Sequence, residues 1–561
     1  MERATKTVMA GGLEWLVLSE FADVLPRLDL EAMRHPEQLP EGALVKQSTV
    51  RTVARLTHPH EPDGPALYVK RFRIRDLRDR LRHILVRTKP EVEWRVCRQL
   101  QARGIPTCDV LAIAVRCRLL VPHEGFLVSC EVPGTVTLQD FLAVSRPETR
   151  TELAAELGEL TGRFVQAGFY HHDYHFGNLL VRPDAPAGQR LYVVDLHSVR
   201  VRPPGEAGAL RMLAMLDYST RAAGVTDAER DAFLRAFLSR WRGGPGLTAD
   251  SMARWPRRIA DVRRSLWRRH MASRTRRCMV RSSLFTPDRA GGYRIHRRRD
   301  FPVDAALAAV RSHEAALSGQ ASGCEILRNG RKTQVSLCPC ASVPPFEGTR
   351  PADASAVVPG GVCVKAFRHD SFGHWLKELI RPRTRARRAW VAARGFSVRG
   401  IRAPRPLALL ENRTRRPNYL ITEAVTHRGS LHDLAVAGLP RGDWRRRLGV
   451  AIAGLLRRMA DQEVYHPDTK PSNLLIEEVD GEIRPCLVDL DAVRFGPRDV
   501  RRTWVRNLAQ LDAGLPVDVT VLDRMRCLRA CGAGRWSAAE RMAIARDVLR
   551  LSLGRGPAWR T

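Results

Sequence analysis

Two stretches of the chain gather their apolar residues on one helical stripe and stop at the same distance from an aspartate. Leu153, Leu157, Leu160 and Phe164 recur at i, i+4, i+7 and i+11, nine residues short of Asp173. Leu448, Ile452, Leu455 and Met459 repeat the spacing and end nine residues before Asp468. That period puts each set on one face of a helix, turned toward a core. Upstream in the first half the period changes to two. An apolar run, Leu13 to Leu18, precedes strand-like runs at Ala43 to Val50, Thr52 to Thr57 and Tyr68 to Phe72, with Glu61-Pro62-Asp63-Gly64 as turn punctuation. A short helical stretch is expected near Asp29 to Met33. A longer helix carries Glu93, Trp94, Cys97 and Leu100 and stops near Gly104, with Pro106 beyond. The run Gly125 to Val132 leads into Pro133-Gly134, the place of a hinge between a small sheet lobe and a helical lobe.

The second half says this again. Ser282 to Arg299 reads as a hairpin around Ala290-Gly291-Gly292, Pro302 to Leu317 as a helix, and Cys338 to Gly361 as a loop insertion between two strands. Landmarks recur at a nearly fixed offset: Lys70 and Lys365 lie 295 apart, Trp94 and Trp390 296, Asp173 and Asp468 295, Asn178 and Asn473 295, Asp195 and Asp489 294. A constant offset means one architecture written twice. The expected fold is α+β, two tandem bilobal units over 1–275 and 276–561, each with a small antiparallel β-sheet N-lobe and a helical C-lobe.

The stripes lead into the chemistry. Gly168 to Val181 reads GFYHHDYHFGNLLV, followed by LYVVDLHSV at Leu191 to Val199; the second half has YHPDTKPSNLL at Tyr465 to Leu475 and CLVDLDAV at Cys486 to Val493. A His, an Asp two residues on, an Asn five after that and a downstream Asp closing an apolar run resemble the catalytic apparatus of the protein-kinase-like superfamily. Within it the chain is most similar to the bacterial lipopolysaccharide kinases, the Kdo and core-heptose kinases, which share its departure from a G-x-G-x-x-G loop. Lys46-Gln47-Ser48-Thr49 and Asn329-Gly330-Arg331-Lys332 stand in that place, and no Ala-Pro-Glu signature follows in either copy.

The resemblance implies ATP with Mg2+ as cofactors, and roles residue by residue. Asp173 and Asp468 are the candidate bases, and Lys470 lies beside the transferred phosphate. Lys70, held by Glu93, and Lys365 reach the nucleotide phosphates; Asn178, Asp195, Asn473 and Asp489 hold the metal. His171 is read as a packed residue bonded to the backbone. Ala389 stands where Glu93 does, so Lys365 has no evident partner unless Glu378 serves, and the first copy is expected to carry the main activity. The acceptor implied is a hydroxyl of a cell-envelope glycolipid or sugar; a Ser/Thr protein kinase, favoured by Lys470, and a pseudokinase scaffold are the alternatives.

Charge adds one partner class. The formal net charge is +33 and only eight lysines contribute to it, so arginine dominates. The arginines are not interleaved with aromatics as on a nucleic-acid platform, and no nucleic acid is expected. Clusters such as Arg381 to Arg388 and Arg257 to Arg269 suit peripheral contact with an anionic membrane. No apolar run is long enough for a membrane span, which points to the cytoplasm, near the inner membrane. Twelve cysteines, mostly single, read as buried thiols, and neither Cys338-Pro339-Cys340 nor Cys527 to Cys531 has the spacing of a zinc site.

Overall fold

The computed structural model describes residues 3–48, 50–74, 76–320, 323–340, 361–368, 383–412, 417–497 and 499–560. Thr49, Glu378, Arg381 and nearly all of the 338–361 insertion lie outside the described residues. The chain forms two compact units, Met1–Trp267 and Arg268–Thr561, and the division falls within the helix Ala249–Arg276.

In the first unit the expected runs become strands β2 (Leu13–Leu18), β3 (Leu44–Gln47), β4 (Arg51–Leu56), β5 (Leu67–Arg73) and β7 (Val121–Cys130), joined by two that the sequence reading did not pick out, β1 (Thr5–Ala10) and β6 (Val110–Arg118). They form one antiparallel sheet ordered β1-β2-β6-β7-β5-β4-β3. In the second unit β8 (Phe285–Ala290), β9 (Tyr293–Arg298), β10 (Glu325–Asn329), β11 (Thr333–Pro339), β12 (Gly361–Phe367), β13 (Pro406–Glu411) and β14 (Asn418–Glu423) run β8-β9-β13-β14-β12-β11-β10, the same order strand for strand. Register repeats as well. Lys70 faces Val53 and Leu127 across its two neighbours, and Lys365 faces Val335 and Leu420.

Alternation buries one set of each strand. Trp15, Val17, Phe126 and Val128 are almost fully enclosed, with the rings of Trp15 and Phe126 6.0 Å apart. Below the sheets, the helices Pro147–Gln166 and Asp443–Asp461 carry the two apolar stripes. All eight stripe residues are buried, each contributing about 1.5–3 kcal/mol of transfer free energy. The first of these helices lies close against Asp227–Arg240 because two glycines permit it. A Cβ on Gly158 would come within 2.2 Å of the Phe233 carbonyl oxygen, and one on Gly162 within 2.7 Å of Arg240 Cβ.

Two expectations fail. Asp29 to Met33 is not a helix but a turn between the 3-10 turns Leu25–Arg27 and Pro36–Gln38. The Asp29 carboxylate accepts the Ala32 N–H at 3.0 Å, a local bond that competes with helix formation. The cysteines are not all thiols either: Cys324 and Cys338 form a disulfide, Cα atoms 4.3 Å apart. Glu325 pairs with Leu337 across β10 and β11, so the two cysteines occupy the next rung of that ladder.

Candidate active sites

Each candidate catalytic segment is a short strand, a one-turn 3-10 helix and a hairpin. In the first unit these are Phe169–His171, Phe176–Asn178 and the pair Leu179–Val181 with Leu191–Val193; in the second, Val464–Tyr465, Pro471–Asn473 and Leu474–Val479 with Glu482–Leu487. A histidine organises both loops from beneath. His171 Nδ1 accepts the Asp173 N–H at 3.1 Å while Nε2 lies 3.4 Å from the Val194 carbonyl; His466 does the same for Asp468 at 3.1 Å and Val488 at 3.3 Å. Burial pushes His171 down to about 4 and also lowers His466, so both rings stay neutral and the Nδ1 acceptor persists.

The asparagines are oriented by the same loops. Asn178 Nδ2 donates to the Asp173 carbonyl at 2.8 Å, and Asn473 Nδ2 to the Asp468 carbonyl at 3.0 Å. With the nitrogen engaged, the amide oxygen is the atom available to a cation. Asp195 and Asp489 both adopt the left-handed conformation, φ 61° and 60°. Only a side chain under strong local constraint keeps that backbone, since αL is disfavoured for residues with a Cβ.

Around this shared frame the electrostatics differ. In the first unit Lys70 Nζ, on β5, meets Glu93 Oε1 at 2.6 Å; Glu93, on α2 (Lys89–Ala102), is fully buried. Burial, the largest single influence, disfavours the ammonium, but Glu93 and Asp195 act with the other neighbours to leave the Lys70 pKa raised. Asp195 has two further neighbours that the motif did not point to. His197 Nδ1 lies 2.7 Å from its Oδ1, and Arg51, on β4, donates to both oxygens at 3.2 and 3.3 Å. Burial works against the Asp195 carboxylate, yet His197, Lys70 and Arg51 together hold its pKa far below the ordinary carboxylate value. Asp173 is also lowered, chiefly by His175, whose Nε2 stands 3.5 Å away.

The second unit has Lys365 Nζ directly on Asp489 Oδ1, at 2.5 Å. Buried Ala389 offers no carboxylate, and the acid downstream in the motif, Asp491 in the place of His197, is taken by Arg385 at 2.8 Å. Burial raises and Lys365 lowers the Asp489 pKa, with Lys365 prevailing. Lys470 Nζ caps Asp468 Oδ2 at 3.0 Å. By strand register the residue matching Arg51 is Thr333, since both pair with the Phe at the end of the lysine strand.

Among the described residues, the ligand atoms of Glu93, Asp195 and His197 lie within 4.8 Å of one another, with Asn178 on the neighbouring loop. Carboxylate and amide oxygens are the donors that hard divalent cations take, so the site fits Mg2+. His197 and Arg51 were not legible beforehand. Position 197 carried a signal, a titratable residue two after the metal Asp in both copies; Arg51 carried none, because only folding brings β4 over the loop. Several arginines of the two clusters are engaged with acids: Arg258 with Glu206, Arg263 with Asp217, Arg268 with Glu463, Arg385 with Asp491 and Arg387 with Glu411.

Comparison with known proteins gives a consistent picture. The model of the lipopolysaccharide kinase (Kdo/WaaP) family matches residues 38–237 and again 350–528. The lipopolysaccharide core heptose(I) kinase WaaP of Pseudomonas aeruginosa is 27% identical over 199 residues, covering 33% of this chain and 74% of that protein. Among solved structures, WaaP in complex with acyl carrier protein aligns with 22% identity and TM-score 0.34, over 45% of this chain and 97% of that one. The PknI kinase domain of Mycobacterium tuberculosis aligns with 15% identity and TM-score 0.24, over 41% and 96%.

Proposed function

Because the chain belongs to the lipopolysaccharide kinase (Kdo/WaaP) family, and is therefore a kinase, we propose that it transfers the γ-phosphoryl group of ATP to a hydroxyl of a lipopolysaccharide core sugar, and that the first unit does most of this work. The functional division is read as 1–275 and 276–561. What carries the reading is the contrast between the lysines: Lys70 is held by a buried helix carboxylate, whereas Lys365 is paired with Asp489 itself.

Phosphoryl transfer demands position and charge more than covalent chemistry. In this reading Lys70, fixed by Glu93, binds the nucleotide phosphates. Asp173 lies beside the acceptor hydroxyl and takes its proton; its lowered pKa keeps it ionised for that task. Asn178 and Asp195 hold Mg2+, which when bound neutralises the phosphate oxygens. In the second unit Lys365 must leave Asp489 before that carboxylate can serve a cation, as Arg51 must leave Asp195 in the first; the first unit differs in that its strand lysine keeps a carboxylate partner of its own. This supports a weaker or regulatory second site.

The test compares Asp173→Ala with Asp468→Ala in the full chain, with labelled ATP and lipopolysaccharide core as acceptor. Asp173→Ala should lower turnover by about a hundredfold or more, and Asp468→Ala by much less. The reverse order overturns the assignment of units, and phosphate appearing on protein Ser or Thr but not on the glycolipid overturns the acceptor.

A further inference from the structure

The first unit presents two elements whose apolar side chains the described residues leave largely uncovered. Helix α1 (Leu77–Leu85) follows β5 directly. Leu77, Leu81, Ile84 and Leu85 stand at i, i+4, i+7 and i+8, a single face, yet they are 68, 52, 50 and 90% exposed. The tip of the β6–β7 hairpin is Leu119-Leu120, 98 and 87% exposed. Both tip residues have positive φ, 48° and 65°. Glycine or asparagine is the ordinary occupant of such a turn, so two leucines there are unfavourable for the isolated fold.

The two elements share one edge of the sheet lobe. Ile74, leading into α1, donates its N–H to the carbonyl of His123, just past the hairpin tip, at 2.9 Å. Burial and the charges of Arg80 on α1 and Arg118 at the tip lower the His123 pKa against the opposing pull of Glu124. Arg82, Arg87 and Arg116 lie on the same two segments and at their ends. The second unit supplies a comparison. The sequence joining its β13 and β14 reads Asn412-Arg413-Thr414-Arg415-Arg416-Pro417, without a leucine or other large apolar residue.

We propose that this edge, α1 with the Leu119-Leu120 tip, is a membrane-docking surface that inserts its leucines among the lipids of an anionic bilayer while the surrounding arginines meet the headgroups. Lipid is favoured over a protein partner because the apolar groups sit on a helix face and a hairpin tip with cations around them, the pattern of an interfacial amphipathic element, on a chain of net charge +33. Docking here places the lobe that carries Lys70 and Glu93 at the bilayer surface. The inference extends the glycolipid-acceptor reading of the preceding section, and its readout is binding and not turnover, so the two can fail separately.

The experiment is co-sedimentation of the full chain with vesicles of phosphatidylglycerol and phosphatidylethanolamine, against phosphatidylcholine alone. Leu119→Gly/Leu120→Gly removes the apolar tip and relieves the positive-φ turn, so its thermal midpoint should match or exceed the wild type. Its partition should nevertheless drop about tenfold. Leu81→Ser/Ile84→Ser should weaken binding similarly, and Arg80→Glu/Arg118→Glu should abolish the preference for anionic vesicles. Undiminished binding in both leucine variants overturns the proposal, as does loss confined to the charge reversal. Self-association that the leucine variants abolish, without vesicle binding by the wild type, also overturns it and makes the edge a protein interface.

Discussion

His171 is a side chain expected to make the candidate catalytic loop of the first unit sensitive to acid. It is fully buried, and its pKa is held near about 4 against an ordinary 6.5. In the unfolded chain the ring takes a proton below 6.5 while the folded ring refuses it until about 4. Its contribution to stability is therefore complete above 6.5 and lost as pH falls through that window, amounting to on the order of 3 kcal/mol. His171→Gln should be less stable at neutral pH and should lose less on acidification than the wild type, measured as unfolding free energy in urea at about pH 7 and about pH 5. An equal loss in both proteins would show that the ring does not set the acid limb. The motif gave the loop its order of His, Asp and Asn, and those residues do meet through the loop's own bonds. What it hid was any contact made by distant strands, as Arg51 makes with Asp195 across 144 residues of sequence.

At the level of elements, the stripe ahead of Asp173 was readable because a helix that buries one face must repeat its apolar residues. The glycines within it were not, since a sequence does not announce which backbone comes near. Gly158 is the tighter of the two, its missing Cβ facing a backbone carbonyl that cannot swing aside. Gly158→Ala should cost about 1–3 kcal/mol through displacement of the helix Asp227–Arg240, seen as a lower thermal midpoint. Gly454, on the matching helix of the second unit, has only the end of Arg458 within 4 Å of its virtual Cβ, at 3.8 Å. Gly454→Ala should be neutral or slightly stabilising, because alanine is the better helix former by about 1 kcal/mol. Failure of the pair to differ would mean that the helix contact yields more easily than the distances imply. The Asp29 to Met33 turn was missed for a related reason, a side-chain cap overriding a helical composition.

For the whole molecule, the duplication was legible from offsets alone, and the shared strand order is the physical form of that repeat. The divergence between the lysine partners was half legible: Ala389 in the place of Glu93 removed one partner, and only the folded cleft revealed Asp489 as its replacement. The proposed division of labour between the copies predicts two nucleotide-binding events of unequal strength. Calorimetric titration of the full chain with a non-hydrolysable ATP analogue and Mg2+ should give one tight and one weak event. Asp489→Asn should remove the weak event and leave the tight one, whereas a single class of two equal sites would contradict the reading. Writing the same sheet twice on one chain also creates a hazard during synthesis, when the first copy's strands emerge and collapse before the second's arrive. A strand from one copy fits the other's register, with lysine opposite leucine in both. One buried pair makes the exchange unfavourable. Arg71 on β5 is nearly enclosed and bound to Glu124, while Ala366 holds its place on β12. A β5 strand lodged in the second sheet would bury a guanidinium beside Pro417 where its carboxylate should be, at a cost of about 3–5 kcal/mol, so that the first half of the ribosome's product carries a lock against its twin.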